Sequence, residues 1–145
     1  MEKQHPEPNF IKRILIVDDD DVDRYILRRN IISAMPAREI IEANSAEKAL
    51  SLLTDKEAQK GPLPELIFLD INMSPMSGLE FLDVFDKLGN VSHNHCRIIM
   101  VCSKDDESQK QEALRHANVA GYYVKPITPE MLLRISDHIN HKQAS

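Results

Sequence analysis

Cysteine is scarce in this chain of 145 residues, and long apolar runs are absent from it. The two cysteines, Cys96 and Cys102, suggest neither a disulfide framework nor a zinc site. No apolar stretch approaches the length of a membrane-spanning helix, and the polar first nine residues lack the apolar core of a secretory signal. We therefore expect a protein of the reducing cytoplasm that does not contact a membrane.

Positive charge is also limited, with 18 lysines and arginines against 23 acidic residues and a net charge of -5. An acidic chain without a basic stripe interleaved with aromatics is unsuited to nonspecific nucleic-acid binding. Hydrophobic residues make up 42% of the chain and charged residues 28%, which is ordinary for a globular domain. We expect residues 1–10 to be a flexible N-terminal tail and residues 11–145 to form one domain.

Short apolar runs and amphipathic stretches alternate five times along the chain, which indicates βαβ units. The runs are rich in β-branched and aromatic residues without polar alternation, as in strands buried on both faces of a parallel sheet. The expected strands are 13–18, 39–43, 65–70, 98–102 and 121–124. The expected helices are 21–35, a helix capped by Ser45, a helix from Gly78 to Gly89, 105–117 and 129–141.

Charged residues follow three of these apolar runs. Aspartates 18–21 follow the first run, Asp70 follows the third, and Lys125-Pro126 follows the fifth. Ligands of an open α/β sheet bind outside the carboxyl ends of the strands, so these side chains converge if the strands are neighbours. Crowded carboxylates repel one another unless a cation joins them, and such acidity suits a hard divalent cation.

This ordered set resembles the receiver domain of two-component response regulators, over residues 13 to about 140. That family has an acidic pair after strand one, a phosphoacceptor aspartate after strand three and a lysine-proline after strand five. Asp18-Asp19, Asp70 and Lys125-Pro126 match these positions, and Gly78 stands at the family's offset from the phosphoacceptor. The resemblance implies an α/β, flavodoxin-like (βα)5 fold, whose parallel five-stranded sheet has the order 2-1-3-4-5 and helices on both faces. It also implies a cis Lys-Pro bond.

The resemblance further assigns a role to each residue of the site. Asp70 would accept a phosphoryl group from the phosphohistidine of a histidine kinase or phosphotransfer protein. Mg²⁺ would be held directly by Asp19 and Asp70, through water by Asp18, and by the backbone carbonyl of Asn72. Lys125 would pair with the carboxylate at rest and with a phosphoryl oxygen afterwards. Such a protein is a switch and not a turnover enzyme, because it catalyses only its own phosphorylation and dephosphorylation.

The output of such a switch would be a change in partner binding. Tyr122 matches the family's aromatic switch residue, although a half-buried strand aromatic would explain it equally well. The helix expected at 105–117 is nearly all polar, so its thin apolar face predicts a loosely held element. We expect a downstream protein to contact the face built from helix four, strand five and helix five, and we expect no DNA-binding domain.

Two departures from the family pattern concern the site. The family places Thr or Ser at the end of strand four, where a hydroxyl bonds the phosphoryl group. Alignment by the apolar run puts Cys102 in that position, whereas counting back from Lys125 without a gap puts Ser103 there. The proline of the phosphoacceptor loop also comes one residue late, at Pro75, which predicts a local rearrangement.

Three other functions stay in view. A haloacid-dehalogenase-like phosphatase would also form an aspartyl phosphate, but it needs a second aspartate where Asn72 stands. A flavodoxin-like nucleotide binder would need a Gly/Ser/Thr-rich anion loop after strand one, and this loop holds four aspartates instead. A receiver-like module that binds a partner without phosphorylation stays open because of Cys102.

Overall fold

The computed structural model describes residues 11–35, 37–55, 63–89 and 96–144, so the expected tail 1–10 lies outside the described residues. Strands and helices alternate along the chain. The strands are β1 Ile11–Val17, β2 Ala37–Ala43, β3 Leu66–Asp70, β4 Arg97–Cys102 and β5 Val119–Val124. The helices are α1 Asp21–Ala34, α2 Ala46–Thr54, α3 Gly78–Phe85, α4 Glu107–Leu114 and α5 Pro129–Ala144.

The five strands form one parallel sheet in the order β2-β1-β3-β4-β5, which confirms the predicted topology. In the central pairs, Val17 lies beside Leu69 and Asp70 lies beside Val101. Because the strands are parallel, their carboxyl ends meet at one edge of the sheet. The order in which strands are added to the sheet reverses between β1 and β3, and the carboxyl edge at this switch point is the place to look for a ligand site.

Several element bounds differ from those expected from the sequence. Strand β1 begins at Ile11 and not at residue 13, because Ile11 pairs with Ala37 of β2. Helix α4 covers only Glu107–Leu114 of the expected 105–117, since Asp106 is its N-cap and turns follow it. Among the described residues, no helix is long and apolar enough to cross a membrane.

The core occupies both faces of the sheet, because successive side chains of a strand point to opposite faces. Leu15 and Val17 belong to one buried cluster, and Ile14 and Ile16 belong to the other. Helices α2, α3 and α4 cover the first cluster, chiefly with Ala49, Leu53, Phe81, Phe85 and Ala113. Helices α1 and α5 cover the second, chiefly with Leu27, Ile31, Leu132, Ile135 and Ile139.

Helix α4 is held far less firmly than its neighbours. Ala113 is the one buried residue among its eight, whereas α3, of the same length, buries Gly78, Phe81, Leu82 and Phe85. A buried aliphatic or aromatic side chain contributes about 1.5–3 kcal/mol by leaving water, so α4 lacks most of that anchorage. This agrees with the loose packing predicted from its polar sequence.

Side-chain caps fix the loops at the carboxyl edge. Asp20 caps α1 by accepting a hydrogen bond from the amide of Asp23, and Ser77 forms a capping box with Glu80 at the start of α3. Gly78 lies so close to the preceding strand that an added Cβ would come within 2.5 Å of the Asp70 carbonyl oxygen. Only glycine fits there, because any side chain would clash with the backbone at the end of β3.

Candidate functional site

Backbone hydrogen bonds continue one residue beyond β1 and β5 and place the charged side chains at the carboxyl edge. The amide of Asp18 donates to Ala43 at 3.1 Å, and that of Lys125 donates to Cys102 at 2.8 Å. The peptide bond from Lys125 to Pro126 is cis, as expected, and the bond from Ser74 to Pro75 is also cis. The edge residues therefore have fixed backbone positions before any ligand binds.

Three carboxylates converge at this edge. Asp18, Asp19 and Asp70 each offer an oxygen atom, and these atoms lie within 4.8 Å of one another. Asp18 and Asp70 are buried, with 5% and 3% of their surface exposed, whereas Asp19 is exposed. Three oxygens at such spacing, open to solvent through one of them, suit a hard divalent cation. The donor set thus fits Mg²⁺.

One ammonium partly balances these charges. Lys125 Nζ donates to Asp23 Oδ2 at 2.7 Å, to Asp18 Oδ2 at 2.9 Å and to Asp70 Oδ2 at 3.4 Å. Burial alone would lower the pKa of this lysine, but its hydrogen bonds to Asp23 and Asp18, together with the charges of Asp70 and Asp18, outweigh burial and raise it. Lys125 is therefore a permanent cation within the acidic cluster.

Burial raises the pKa of Asp70 from 3.8 to about 6. The amide of Asn72 and the charge of Lys125 oppose that effect, while the Asp18 carboxylate adds to it. A raised carboxyl pKa means that the folded, metal-free protein prefers the proton. The folded protein holds the Asp70 proton more tightly than the unfolded chain does. The stability that this difference contributes is present below pH 3.8 and is lost as the pH rises through about 6. A cation that binds the charged form removes this penalty.

Asn72 links the loop after β3 to the loop after β4. Its backbone amide donates to Asp70 Oδ1 at 3.0 Å, and its side-chain oxygen accepts from the amide of Ser103 at 3.0 Å. The sequence had predicted only a backbone-carbonyl contact from Asn72 to a metal. The amide side chain gives this residue a second task, since it joins the two loops on either side of Asp70.

Cys102 and Ser103 have different surroundings. Cys102 ends β4 with no exposed surface, and its Sγ donates to the Tyr123 carbonyl at 3.6 Å. Ser103 is exposed and follows the strand. Burial and an interaction with the Cys102 thiol raise the pKa of Tyr122 to about 12, so the thiol and the phenol are neighbours. In the alignment by the apolar run, the residue at the family's hydroxyl position is Cys102, and its side chain faces Tyr122.

Tyr122 connects this buried thiol to the start of α4. Its hydroxyl donates to the backbone carbonyl of Asp106 and accepts from the amide of the same residue, both at 3.3 Å. Asp106 is the N-cap of α4. A contact chain therefore runs from Cys102 through Tyr122 to the helix that the core holds least.

Sequence reasoning missed Asp23 and Arg24 of α1. Asp23 gives Lys125 its shortest contact, and Arg24 Nη1 donates to the Asp18 carbonyl at 2.7 Å. The available signal was the run of aspartates continuing into the first helical turn, because residues there point back toward the strand end. Asp20 caps α1 and Asp21 pairs with Arg24, so neither belongs to the carboxylate cluster.

Comparison with known proteins identifies the relatives of this chain. The sequence model of a family described as "Response regulator receiver domain" matches residues 14–137. The chemotaxis protein CheY homolog of Campylobacter jejuni is 32% identical over 120 residues, which cover 83% of this chain and 85% of that protein. Two-component response regulator ORR1 of Oryza sativa is 28% identical over 127 residues, and the match spans 86% of this chain but only 54% of the rice protein.

Solved structures give the same result. A two component response regulator from Cytophaga hutchinsonii superposes with a TM-score of 0.82 at 26% identity, covering 92% of this chain and 99% of that one. Chemotaxis protein CheY4 of Vibrio cholerae superposes with a TM-score of 0.71 at 26% identity, covering 89% and 98%. The similarity therefore extends over nearly the whole described fold.

The acidic cluster predicts a stabilising effect of Mg²⁺. We expect Mg²⁺ to raise the melting temperature, because a ligand of the folded state stabilises by about 2.7 kcal/mol at roughly one hundred times its Kd. Asp19→Ala should abolish the shift and raise the metal-free melting temperature, since it removes one repelling charge. The effect of Mg²⁺ should grow as the pH rises through about 6, where Asp70 loses its proton. Differential scanning calorimetry measures all three.

Asp21→Ala is the matched control, because Asp21 pairs with Arg24 outside the cluster. That variant should respond to Mg²⁺ as wild type does. Two results would contradict a metal site here. One is a wild-type melting temperature that millimolar Mg²⁺ does not change, and the other is an Asp19→Ala variant that keeps the full shift.

Proposed function

The chain belongs to the response-regulator receiver family, and we propose that it is a phosphorylation switch whose phosphoacceptor is Asp70. Receiver domains generally serve phosphorylation-dependent signalling and not turnover catalysis, so membership argues against the phosphatase and nucleotide-binding alternatives. The phosphoryl donor is a histidine kinase or phosphotransfer protein. Residues 11–145 form the receiver unit, and a cytoplasmic setting is supported by the two free, buried cysteines.

The observation that carries the proposal is the setting of the Asp70 carboxylate. It is buried at the centre of the carboxyl edge and forms one cluster with Asp18 and Asp19. Lys125 Nζ donates to its Oδ2 atom at 3.4 Å and also to Asp18 Oδ2 at 2.9 Å. Its other oxygen is fixed by the Asn72 amide. A carboxylate held in this way is a positioned nucleophile toward phosphorus.

Transfer to Asp70 forms one bond and breaks one. A carboxylate oxygen attacks the phosphorus of a phosphohistidine, the new O–P bond forms, and the P–N bond breaks with its electron pair returning to the imidazole nitrogen. Lys125 donates to the phosphoryl oxygens and offsets their charge. Mg²⁺ bound by Asp18, Asp19, Asp70 and the Asn72 carbonyl would supply further positive charge to those oxygens. Asp70 and Asn72 keep the acceptor oriented through their hydrogen bond.

The output face comprises α4, β5 and α5. Support comes from Tyr122, which lies between the buried Cys102 and the N-cap of α4. Phosphorylation changes the charge beside the end of β4, and the weakly anchored α4 responds to that change most easily. A downstream protein then binds one arrangement of this face better than the other.

A phosphorylation-independent interaction module is the second candidate. The observation in its favour is the buried thiol of Cys102, because a thiol donates a much weaker hydrogen bond to a phosphoryl oxygen than the hydroxyl that the family pattern places there. Such a module would use the same face without a change at Asp70.

Phosphorylation should be confined to Asp70. Incubation with Mg²⁺ and a small phosphodonor should add one acid-stable, base-labile phosphoryl group, because, in the part of the chain that the structure describes, only this carboxylate is both buried and held by Lys125 and Asn72. Intact-mass spectrometry measures the adduct, and Asp70→Asn should eliminate it. Asp105→Asn, which alters an exposed carboxylate after β4, should leave it intact. An adduct that survives in Asp70→Asn would refute the assignment.

A phosphoryl mimic should change the output face selectively. Beryllofluoride with Mg²⁺ should alter hydrogen exchange in residues 103–125 far more than in residues 37–55, because α4 has one buried anchor and Tyr122 joins it to the site. Mass-resolved hydrogen exchange of each segment is the measurement. Equal changes in both segments, or no change in 103–125, would favour the phosphorylation-independent module.

The same experiment decides between the two alignments of the hydroxyl position. Cys102→Thr should enlarge the change in 103–125, because a hydroxyl in this buried place donates more strongly than a thiol. Ser103→Ala should leave the change nearly as it is, since the Ser103 contact with Asn72 uses the backbone amide. Loss of the response in Ser103→Ala, with Cys102→Thr unaltered, would show that Ser103 supplies the hydroxyl.

A further inference from the structure

All three N–H donors of the Lys125 ammonium are engaged when Asp70 is unphosphorylated. A lysine ammonium has three N–H donors, and those of Lys125 reach carboxylate oxygens of Asp23, Asp18 and Asp70. The contact with Asp70 is the longest of the three, at 3.4 Å, and that with Asp23 is the shortest, at 2.7 Å. The cation thus lies closer to α1 than to the phosphoacceptor.

Asp23 differs from the other two carboxylates in its surroundings. Its side chain is 39% exposed, against 7% for Asp18 and 3% for Asp70. It belongs to the first turn of α1 and contributes no atom to the cluster of Asp18, Asp19 and Asp70. Asp23 is therefore a partner of Lys125 that is free to turn toward solvent, whereas Asp18 is also fixed by the amide of Asp20 at 2.9 Å.

We propose that Asp23 is a positioning residue that holds Lys125 toward α1 and competes with a phosphoryl group on Asp70 for its ammonium. This inference rests on the proposed function, because the competitor is the phosphoryl group. When that group arrives, Lys125 must direct a donor to it, and the half-exposed Asp23 is the carboxylate that gives way. The phosphorylated state is then less favourable than it would be with Asp18 and Asp70 alone around the lysine.

The competition has a modest size and a definite salt dependence. A partly exposed ion pair is weakened by solvent and by ionic strength. Removing the charge of Asp23 should therefore strengthen binding of a phosphoryl mimic by up to about fivefold at low salt, and by less as salt is added. A purely structural role in α1 would predict neither the gain nor its salt dependence.

The test compares variants of the full chain by isothermal titration calorimetry with beryllofluoride at saturating Mg²⁺. Asp23→Asn keeps the size of the side chain and removes its charge, and it should bind the mimic more tightly than wild type. Asp23→Glu keeps the charge and should stay close to wild type. Asp21→Asn is the matched control, because it removes the same charge from the same helical turn but from a residue that pairs with Arg24.

A second titration with Mg²⁺ alone separates this role from a general electrostatic effect. Asp23→Asn and Asp21→Asn should change the Mg²⁺ affinity equally, because neither carboxylate belongs to the cluster, and only Asp23→Asn should improve binding of the mimic. Equal gains for the mimic in the two variants, no gain, or a loss in Asp23→Asn would each overturn the competition. A wild-type protein that does not bind the mimic would instead refute the proposed function, and with it any anion for which Asp23 could compete.

Discussion

Repulsion among carboxylates at one edge of the sheet is the constraint on which the rest of this structure depends. Asp18 and Asp70 are nearly buried, and Asp19 stands beside them with an oxygen less than 4.8 Å away. Burial is the chief cause that raises the pKa of Asp70 to about 6, and the neighbouring Asp18 charge adds to it. A single lysine offsets part of this charge. The remainder suits the edge to a divalent cation and, under the proposed function, to an anionic phosphoryl group bound with it.

The fold withstands this repulsion because the backbone around the site is fixed independently of the charges. Ladder hydrogen bonds reach one residue past β1 and β5, so Asp18 and Lys125 have no freedom to move apart. Arg24 holds the Asp18 carbonyl from the α1 side, and Asn72 holds both Asp70 and the loop after β4. The repulsion among the carboxylates is thus kept at a place where a bound ligand can offset it, as is usual for functional sites.

The sequence was sufficient for whatever depends on buried periodicity and strand ends. Apolar runs followed by Asp18, Asp70 and Lys125 predicted both the parallel sheet and the edge at which these side chains meet, and the strand order is as expected. Contacts across the fold were beyond it. Asp23 lies 102 positions from Lys125, and its contact depends on how α1 sits over the sheet. The extent of α4 was also overestimated, because a polar helix gives no apolar period from which to read its ends.

The helices that cover the sheet are anchored unequally, and this asymmetry gives a direction to the effect of a charge change at Asp70. On the α1 and α5 side, Leu27, Ile31, Leu132, Ile135 and Ile139 pack into one cluster, and ion pairs tie α1 to β2 through Glu42. On the other side, α4 has Ala113 in the core, a bond from His116 to Asp86 at 2.6 Å and the contact of Tyr122 with its N-cap. A change in charge at the carboxyl edge acts on both sides at once, but the element with the fewest buried contacts yields first. Because Tyr122 contacts both the end of β4 and the start of α4, we expect that yielding to be organised and not a general loosening.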